Sequence, residues 1–210
     1  MKLYWSPTSP YTRKVRAVVL EKELADLVTP VQVDVWGDYG TLHADNPLGK
    51  IPCLVSDDGL ALYDSRVICP YLDAHPSGRG APLYPLNGTE RWRVMKAEAL
   101  ADGINDCAVG MVVEGRKPGD ERSPWMVARW TTALGRAFDA MMPEIEALPP
   151  GFTIGHLAMA CALGYMDFRH PQVAWRDGRP ELARWFEQQS GRLCLTETVP
   201  AVWRETENLG

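Results

Sequence analysis

The chain has 210 residues, of which 46% are hydrophobic and 23% are charged, and its formal net charge is −5. This composition is typical of a globular protein that is long enough for one large domain or two of ordinary size. The basic residues are scattered rather than clustered, which argues against a nucleic-acid partner. The longest nearly apolar run, residues 157–166, is too short to cross a bilayer, and the N-terminus lacks the apolar core of a signal peptide. We therefore expect a cytoplasmic protein without a membrane partner.

The cysteines indicate reduced thiols rather than disulfides or a metal site. There are five of them, an odd number, widely spaced and mostly embedded in apolar sequence: Cys53, Cys69, Cys107, Cys161 and Cys194. Such a pattern suits core thiols of a reducing compartment. No CxxC motif or Cys/His cluster is present in the sequence, so we expect no metal.

The first part of the chain alternates strand and helix signals. Lys2 to Trp5 predicts a short strand, Pro10 to Glu23 predicts a helix, and Val31, Val33 and Val35 alternate with polar residues as in a half-buried strand. After a turn-rich segment, Cys53 to Ser56 and Leu60 to Tyr63 predict a hairpin. Asp64 and Ser65 then begin a helix that runs to about Ala74. The order β-α-β, irregular segment, β-β-α is compatible with a thioredoxin-like sheet.

From Pro85 onward the apolar residues follow helical spacing in three successive stripes. The stripes run from Ala97 to Met111, from Trp130 to Leu148 and from Leu157 to Phe168. A proline and glycine-rich stretch, residues 75–88, is the predicted linker. The boundaries are therefore 1–77 for an α/β domain and 88–210 for an all-helical domain, with a short last helix near residues 180–189. Pro143 is expected to kink or end the second long helix early.

Three local features of the first domain indicate sites for an anionic or extended ligand. Ser9, ahead of Pro10, falls at a helix N-cap, where a hydroxyl and free N–H groups face an anion. Ile51 and Pro52 open a strand, and a cis bond between them would expose the backbone of Ile51 to an extended peptide. Asp64 and Ser65 precede a helix, with Ser65 as N-cap at a carboxylate site and Asp64 beside it for an ammonium group. Taken singly, the two serines are explained by helix capping alone, and an ordinary loop proline is more frequent than a cis proline.

The order and spacing of these features resemble the glutathione S-transferase family almost from end to end. The matching motifs of the first half are Ser9-Pro10-Tyr11 with Arg13 and Lys14, Asn46-Pro47-Leu48-Gly49-Lys50-Ile51-Pro52, and Asp64-Ser65 followed by Tyr71-Leu72-Asp73. In the second half, Phe152-Thr153-Ile154 is similar to the family's buried capping motif, with Thr153 as N-cap. Ser9-Pro10 resembles the serine-type classes, and residues 98–103 are similar to small bacterial members.

The resemblance implies a role for each matching residue. Ser9 would hydrogen-bond the sulfur of glutathione and favour the thiolate without being the nucleophile. Ile51, before a cis Pro52, would pair with the cysteinyl backbone, and Lys50 would approach the glycyl carboxylate. Asp64 and Ser65 would hold the γ-glutamyl end. The co-substrate would be a small hydrophobic electrophile, held in a cleft to which the helical domain contributes its pocket.

The resemblance also implies a homodimer with the third and fourth helices near the interface, which makes Arg66 and Asp102 candidate interface residues. A solvated surface charge explains either residue equally well. The sequence departs from the family pattern at Pro70, inside the predicted third helix, and at His156, where a capping aspartate is common. Trp36, Trp125 and Trp175 fit no motif and belong either to the core or to a pocket.

Two other functions remain alternatives. A glutaredoxin-like thiol transferase would need a cysteine at the start of the first helix, where Ser6, Thr8 and Ser9 offer none. A non-catalytic glutathione-binding or regulatory protein on the same fold would keep the binding residues without turnover.

Overall fold

The computed structural model describes residues 1–37 and 39–201, and these residues form two compact units. The sheet unit comprises Met1–Gly80 together with residues 198–201, and the helical unit comprises Ala81–Glu197. The division falls within the linker predicted from the sequence. Over the described ranges, no helix combines the length and the hydropathy that a membrane span requires.

The sheet unit is built on four short strands in the order β2-β1-β3-β4. The strands and helices of this unit are β1 (Lys2–Trp5), α1 (Pro10–Glu21), β2 (Thr29–Gln32), α2 (Leu42–Asp45), β3 (Cys53–Val55), β4 (Ala61–Leu62) and α3 (Ser65–Asp73). Strand β1 is parallel to β2 and antiparallel to β3, which is antiparallel to β4. Tyr4 of β1, Cys53 of β3 and Leu42 of α2 are fully buried in one hydrophobic cluster. Helix α1 packs on α3. This order confirms the predicted thioredoxin-like arrangement.

The second strand begins earlier than its valine pattern predicts. Its residues Thr29 to Gln32 pair in parallel with β1, and Val33 adds one further bond to the carbonyl of Trp5 at 2.9 Å. The chain then turns, because the carboxylate of Asp34 accepts the N–H of Trp36 at 2.9 Å. Val35 therefore lies outside the strand. Strand β2 ends at Gln32 because its partner there, Trp5, is the last residue of β1.

The helical unit contains five α-helices in the described part of the chain. They are α4 (Gly88–Arg116), α5 (Pro124–Glu146), α6 (Ile154–Arg169), α7 (Pro180–Ser190) and α8 (Leu193–Thr196). Helix α6 is the centre of the unit, because eleven of its sixteen residues are buried and it packs extensively on α4. Trp175 is 2% exposed and its indole N–H donates to Asp167, so it is a core residue. Trp36 and Trp125, by contrast, are exposed.

Neither internal proline ends its helix. Pro143 lies within α5, which continues to Glu146, and Pro70 lies within α3, which continues to Asp73. Of the two outcomes predicted for Pro143, a kink or an early end of α5, the early end is therefore wrong. A proline removes the donor to the carbonyl four residues earlier, and those carbonyls belong here to exposed residues, Asp139 and Arg66. Water can satisfy them, which makes both prolines tolerable.

Two further expectations need correction. Residues 198–201, assigned from the sequence to the helical domain, belong to the sheet unit, where the N–H of Ala201 donates to the carbonyl of Pro7 at 3.2 Å. The remaining residues of that predicted domain, 202–210, lie outside the described part. Asp102 is 1% exposed, so it is not a solvated surface charge, whereas Arg66 is exposed.

Candidate functional site

The first site element is Ser9, which caps the N-terminus of α1. Its backbone is extended (φ −83°, ψ 123°), and its hydroxyl oxygen accepts the N–H of Thr12 at 3.2 Å. Pro10 occupies the first helical position, where the missing N–H costs nothing. A serine hydroxyl accepts and also donates. Because the cap uses only its oxygen, the half-buried Ser9 retains a proton to donate to a ligand.

The surroundings of Ser9 favour a negative charge. The first turn of α1 contains no acidic residue, and Arg13 and Lys14 follow directly after it. Arg16 lies one turn further on, with its guanidinium 4.3 Å from the ring centre of Trp5. Burial lowers the pKa of Arg16, and the positive charge of Arg13 lowers it further. The positive end of the helix dipole lies at Ser9 and favours a negative charge there.

The second site element is the loop from Asn46 to Pro52, where the peptide bond between Ile51 and Pro52 is cis as predicted. Asn46 is 1% exposed and organises the loop through both ends of its amide. The nitrogen donates to the carbonyl of Lys50 at 2.7 Å, and the oxygen accepts the N–H of Leu48 at 3.0 Å. Lys50 itself is exposed, Ile51 is half-buried and Pro52 is buried.

Gly49 is required in this loop for two reasons. Its φ of +60° lies in the left-handed region, which favours glycine. A Cβ at this position would also lie 2.7 Å from Nε2 of His43, whose ring stacks on Tyr39. Asn46 and Gly49 therefore fix the backbone that leads into Ile51. The turn pattern Asn-Pro-x-Gly is the sequence signal that could have identified both residues as organisers of the loop.

The third site element is the N-terminus of α3, where the structure corrects the predicted cap. The N-cap is Asp64, not Ser65: its carboxylate accepts the N–H of Arg66 at 2.9 Å, and its backbone is extended. Ser65 is the first helical residue and is 2% exposed. A carboxylate is as good a cap as a hydroxyl. Asp64 is exposed, so its charge is available to a cationic group of a ligand.

Sheet topology brings the three elements to one end of the sheet. Ser9 follows the carboxyl end of β1, and Pro52 precedes β3, whose first residue Cys53 lies opposite Tyr4 near that end. Because β4 runs antiparallel to β3, the carboxyl end of β4, and with it Asp64, reaches the same edge. The residues that the sequence analysis selected from three separate motifs therefore belong to one surface of the sheet unit.

A polar network beneath this surface escaped the sequence analysis. The hydroxyl of Tyr4 donates to the carboxylate of Asp45 at 2.7 Å, and the ammonium of Lys2 binds the same oxygen at 2.8 Å. These two hydrogen bonds, with Lys2 first, lower the pKa of Asp45. The network holds α2 against β1. Nearby, burial and then the charge of Asp45 raise the pKa of Cys53 to about 11, which makes this thiol unreactive at neutral pH.

The described residues contain no group of three or more His, Cys, Asp or Glu side chains placed to hold a metal ion. The polar groups of the site are hydroxyl, backbone amide, carboxylate and ammonium. Such a set suits an organic zwitterion with carboxylate and ammonium ends.

A thioredoxin-like sheet unit with this site, joined in one chain to a helical unit, defines the class of protein. Residues 3–80 match the family model described as glutathione S-transferase, N-terminal domain, and residues 127–188 match the C-terminal domain. The chain belongs to the glutathione S-transferase family.

Relatives extend over nearly the whole chain. An uncharacterized GST-like protein of Escherichia coli strain K12, YibF, is 31% identical over 95% of this chain and 98% of its own length. A glutathione transferase family member from Pseudomonas fluorescens Pf-5, solved with S-(propanoic acid)-glutathione, is 38% identical with a TM-score of 0.86, covering 96% of this chain and 100% of its own. A glutathione S-transferase from Methylobacillus flagellatus KT, solved with glutathione, is 36% identical with a TM-score of 0.87, covering 95% and 99%.

Proposed function

We propose that this protein is a serine-type glutathione transferase that stabilises the thiolate of glutathione for attack on a hydrophobic electrophile. The observation that carries the proposal is the geometry of Ser9. Its oxygen is engaged by the N–H of Thr12, which orients the hydroxyl, and its proton remains available at the positive end of α1. A hydroxyl donor in this position favours a sulfur anion over a neutral thiol.

The remaining site residues match the two ends of the tripeptide. The exposed carboxylate of Asp64 attracts the γ-glutamyl ammonium. Ser65, the first residue of α3, binds the carboxylate of the same γ-glutamyl residue at the positive end of the helix. The backbone of Ile51 pairs with the cysteinyl residue, and the exposed Lys50 lies near the glycyl carboxylate. The relatives from Pseudomonas fluorescens and Methylobacillus flagellatus, solved with glutathione compounds, support this ligand.

The proposed reaction follows from thiol chemistry. A free thiol has a pKa near ~8.5, so at neutral pH only a small fraction is the nucleophilic thiolate. Each unit by which the site lowers this pKa corresponds to about 1.4 kcal/mol of preferential binding to the anion. The thiol proton passes to solvent, and the sulfur then forms a bond to the electrophilic carbon. With an aryl halide the carbon–halogen bond breaks and halide leaves, and with an enal the π bond of the alkene breaks and a proton from solvent is taken up. Ser9 stabilises the anion and forms no covalent bond itself.

Several broader features belong to the same proposal. The helical unit contributes the pocket for the electrophile, the protein acts as a homodimer in the cytoplasm, and its role is detoxification. Glutathione is a co-substrate, and no metal takes part. Membership of the family supports glutathione as a substrate more directly than it supports a hydrophobic electrophile.

The experiment compares wild type with Ser9→Ala, and uses Thr8→Ala as a control because Thr8 carries a neighbouring hydroxyl that caps no helix. Glutathione affinity is measured by calorimetry, and the pKa of the bound thiol by ultraviolet absorbance of the thiolate. Conjugation is measured with a panel of aryl halides and enals, and peroxides are tested separately for reduction by glutathione. We expect Ser9→Ala to bind glutathione, to raise the thiol pKa and to lose conjugation by about tenfold to a hundredfold at neutral pH. Thr8→Ala should resemble wild type.

Two outcomes would contradict the proposal. If wild type binds glutathione but conjugates none of the electrophiles, the protein is a binding or regulatory member of the family. If Ser9→Ala leaves both the thiol pKa and conjugation unchanged, Ser9 is a helix cap and the catalytic assignment is wrong.

A further inference from the structure

A buried hydroxyl in the sheet unit holds both ends of helix α2. Tyr4 of β1 is fully buried. Its hydroxyl lies 2.6 Å from the hydroxyl of Thr41, the residue before α2, and 2.7 Å from the carboxylate of Asp45, the last residue of α2. The ammonium of Lys2 donates to the same hydroxyl at 2.7 Å. Because this hydroxyl donates to Asp45, it accepts from Lys2 and Thr41, and its hydrogen-bonding capacity is fully used.

Helix α2 depends on these contacts for its position. It is a single turn, Leu42–Asp45, and a helix of that length is not stable in water by itself. Leu42 is fully buried in one hydrophobic cluster with Tyr4 and Cys53. Apolar burial is non-directional, so it attaches α2 to the core without fixing its orientation. The hydrogen bonds of the Tyr4 hydroxyl, one at each end of α2, supply that orientation.

The loop from Asn46 to Pro52 is anchored on Tyr4 at both of its ends. The loop begins directly after Asp45, which the hydroxyl of Tyr4 binds. It ends directly before Cys53, which is paired with Tyr4 in the antiparallel register of β1 and β3. One residue of β1 therefore holds the start of the loop through its side chain and the end of the loop through its backbone.

Within the loop, side-chain hydrogen bonds transmit the position of α2 to Ile51. Asn46 directly follows Asp45, and its N–H donates to the carbonyl of Leu42 in α2 at 2.7 Å. Its side-chain amide donates to the carbonyl of Lys50, the residue before Ile51, at 2.7 Å. A shift of α2 on the sheet would therefore move the backbone that leads into Ile51.

The same strand relates this loop to Ser9. Strand β1 ends at Trp5, and the chain then reaches the cap of α1 at Ser9. Under the proposed function, Ser9 binds the sulfur and Ile51 binds the backbone of one and the same cysteinyl residue. A loop that leaves its binding position must be ordered again when the ligand binds, which costs affinity. The affinity falls in proportion to the fraction of molecules whose loop is in the binding position.

We propose that Tyr4, supported by Asp45 and Lys2, is a positioning residue for glutathione, which holds the loop from Asn46 to Pro52 in its binding conformation without touching the ligand. The inference rests on the proposed function, because that function assigns the cysteinyl and glycyl residues of glutathione to this loop. It adds a determinant of affinity that lies outside the three motifs of the site. The sulfur, at α1, and the γ-glutamyl end, at α3, do not depend on it.

The first test removes the hydroxyl alone. Tyr4→Phe keeps the ring in the core, and calorimetry compares the binding of glutathione with that of γ-glutamylcysteamine, which lacks the cysteinyl carbonyl and the glycine. We expect the affinity for glutathione to fall by about fivefold to twentyfold, as the fraction of molecules with the loop in place falls by the same factor. The affinity for γ-glutamylcysteamine, the pKa of the thiol of bound glutathione, and kcat at saturating glutathione should remain those of wild type.

A control variant separates positioning from stability. Val19→Ala removes apolar contacts from the buried face of α1, near the end of the helix that is remote from Ser9. It should lower the free energy of unfolding without changing the affinity for glutathione. Hydrogen exchange of the ligand-free proteins, followed by mass spectrometry, should be faster over residues 41–52 in Tyr4→Phe and unchanged there in Val19→Ala.

Double variants identify the partners of Tyr4. Asp45→Asn leaves the buried tyrosine intact and should also weaken glutathione binding. Tyr4→Phe/Asp45→Asn should lose about as much affinity as the more affected single variant, because both substitutions remove the same interaction. Tyr4→Phe/Ser65→Ala should lose the product of the two single losses, since Ser65 acts at the other end of the ligand.

The outcomes distinguish this inference from the proposed function. If wild type conjugates glutathione and Tyr4→Phe binds it with unchanged affinity, the positioning role is wrong and the proposed function stands. An equal loss of affinity for γ-glutamylcysteamine would also overturn the role, because the hydroxyl would then act on the whole site. If wild type binds no glutathione, the proposed function is wrong and the role of Tyr4 in glutathione binding falls with it.

Discussion

The N-termini of α1 and α3 reach the same end of the sheet but carry different capping groups. Ser9 caps α1 with a neutral hydroxyl, and Asp64 caps α3 with a carboxylate. Both accept a backbone N–H, at 3.2 Å and 2.9 Å. The hydroxyl still has a proton to donate, whereas an ionised carboxylate can only accept. The first cap therefore suits an anion and the second suits a cation.

Helix stability alone does not explain this distribution. Serine and aspartate are about equally good N-caps, so either helix would tolerate either residue. Under the proposed function the ligand makes the difference: a thiolate at α1 needs a donor, and an ammonium at α3 needs a negative charge. Exchanging the capping groups tests this explanation without removing either cap.

The largest effect is expected for Ser9→Asp. The new carboxylate keeps the cap of α1 but places a negative charge where the sulfur anion would form, and it has no proton to donate. We expect conjugation at neutral pH to fall by more than about a hundredfold, and by more than in Ser9→Ala. Steady-state kinetics at several pH values measures this loss, and the thiol pKa of bound glutathione should rise above that of the alanine variant.

The matched control is Ser9→Thr, which keeps a hydroxyl and a cap. It should retain more activity than either of the other two variants. Equal activity of Ser9→Asp and Ser9→Ala would show that charge near residue 9 does not influence the sulfur, and the contrast between the two helix ends would lose its electrostatic basis.

A smaller effect is expected for Asp64→Asn, which keeps a capping oxygen at α3 and removes the charge. Glutathione affinity should fall by about threefold to tenfold, because Asp64 is exposed and solvent weakens its attraction for an ammonium group. The pKa of the bound thiol should stay the same, since Ser9 and α1 are unchanged. Calorimetry with glutathione, and with an analogue that lacks the γ-glutamyl amine, measures the effect. The analogue should bind wild type and Asp64→Asn with equal affinity. Different affinities of the analogue for the two proteins would show that Asp64 does not act by binding the ammonium group.

The corrected cap of α3 leads to a prediction about stability. Asp64→Ala removes the capping carboxylate and should lower the free energy of unfolding by about 0.5–2 kcal/mol. Ser65→Ala leaves that hydrogen bond in place and should cost less, although it should still weaken glutathione binding. Urea unfolding of the two variants, followed by circular dichroism, tests the order. A larger loss in Ser65→Ala would restore Ser65 as the residue that stabilises this helix end.

The outcome at these helix ends shows what the sequence could reveal. Strand β1, helix α1 and the hairpin after Pro52 were predicted within a few residues, because their signals are local: alternation, a proline at the first helical position and a turn. The cap of α3 was misplaced by one residue. Asp and Ser are both good caps, and only the backbone dihedral angles distinguish them.

Other features depend on contacts between distant segments. The start of β2 is set by its pairing with β1, and the burial of Asp102 results from packing around α4. Trp130 of α5 lies against Gly110 of α4, where a Cβ would approach its ring to 2.8 Å. A stripe with three and four-residue spacing is visible in the sequence, but the spacing does not show which of its residues meet a neighbouring helix and which face solvent.

The smallest expected effect concerns a third helix N-terminus, that of α6 in the helical unit. Thr153 is the N-cap, and Nδ1 of His156 accepts the N–H of Thr153 at 3.2 Å. Histidine thus replaces the family's aspartate in a complete capping box. The same nitrogen lies 2.9 Å from the hydroxyl of Thr153. Unlike the caps of α1 and α3, this one depends on a ring that loses its acceptor when Nδ1 is protonated.

Protonation of His156 should therefore destabilise the protein in weak acid. Burial lowers the pKa of His156, and the charge of Arg192 lowers it further. Below the unfolded pKa of His156, about 6.5, the unfolded chain binds more protons than the folded chain. The free energy of unfolding therefore falls as the pH decreases, by at most about 1.4 kcal/mol per pH unit. The fall ends once the pH is below the pKa of His156 in the folded protein. His156→Gln keeps an acceptor that does not titrate, and urea unfolding across this range should show a shallower slope than in wild type. Burial also lowers the pKa of His170, which contributes a slope of the same sign to both proteins and cancels in the comparison. Identical slopes would mean that the cap of α6 is insensitive to the charge on His156.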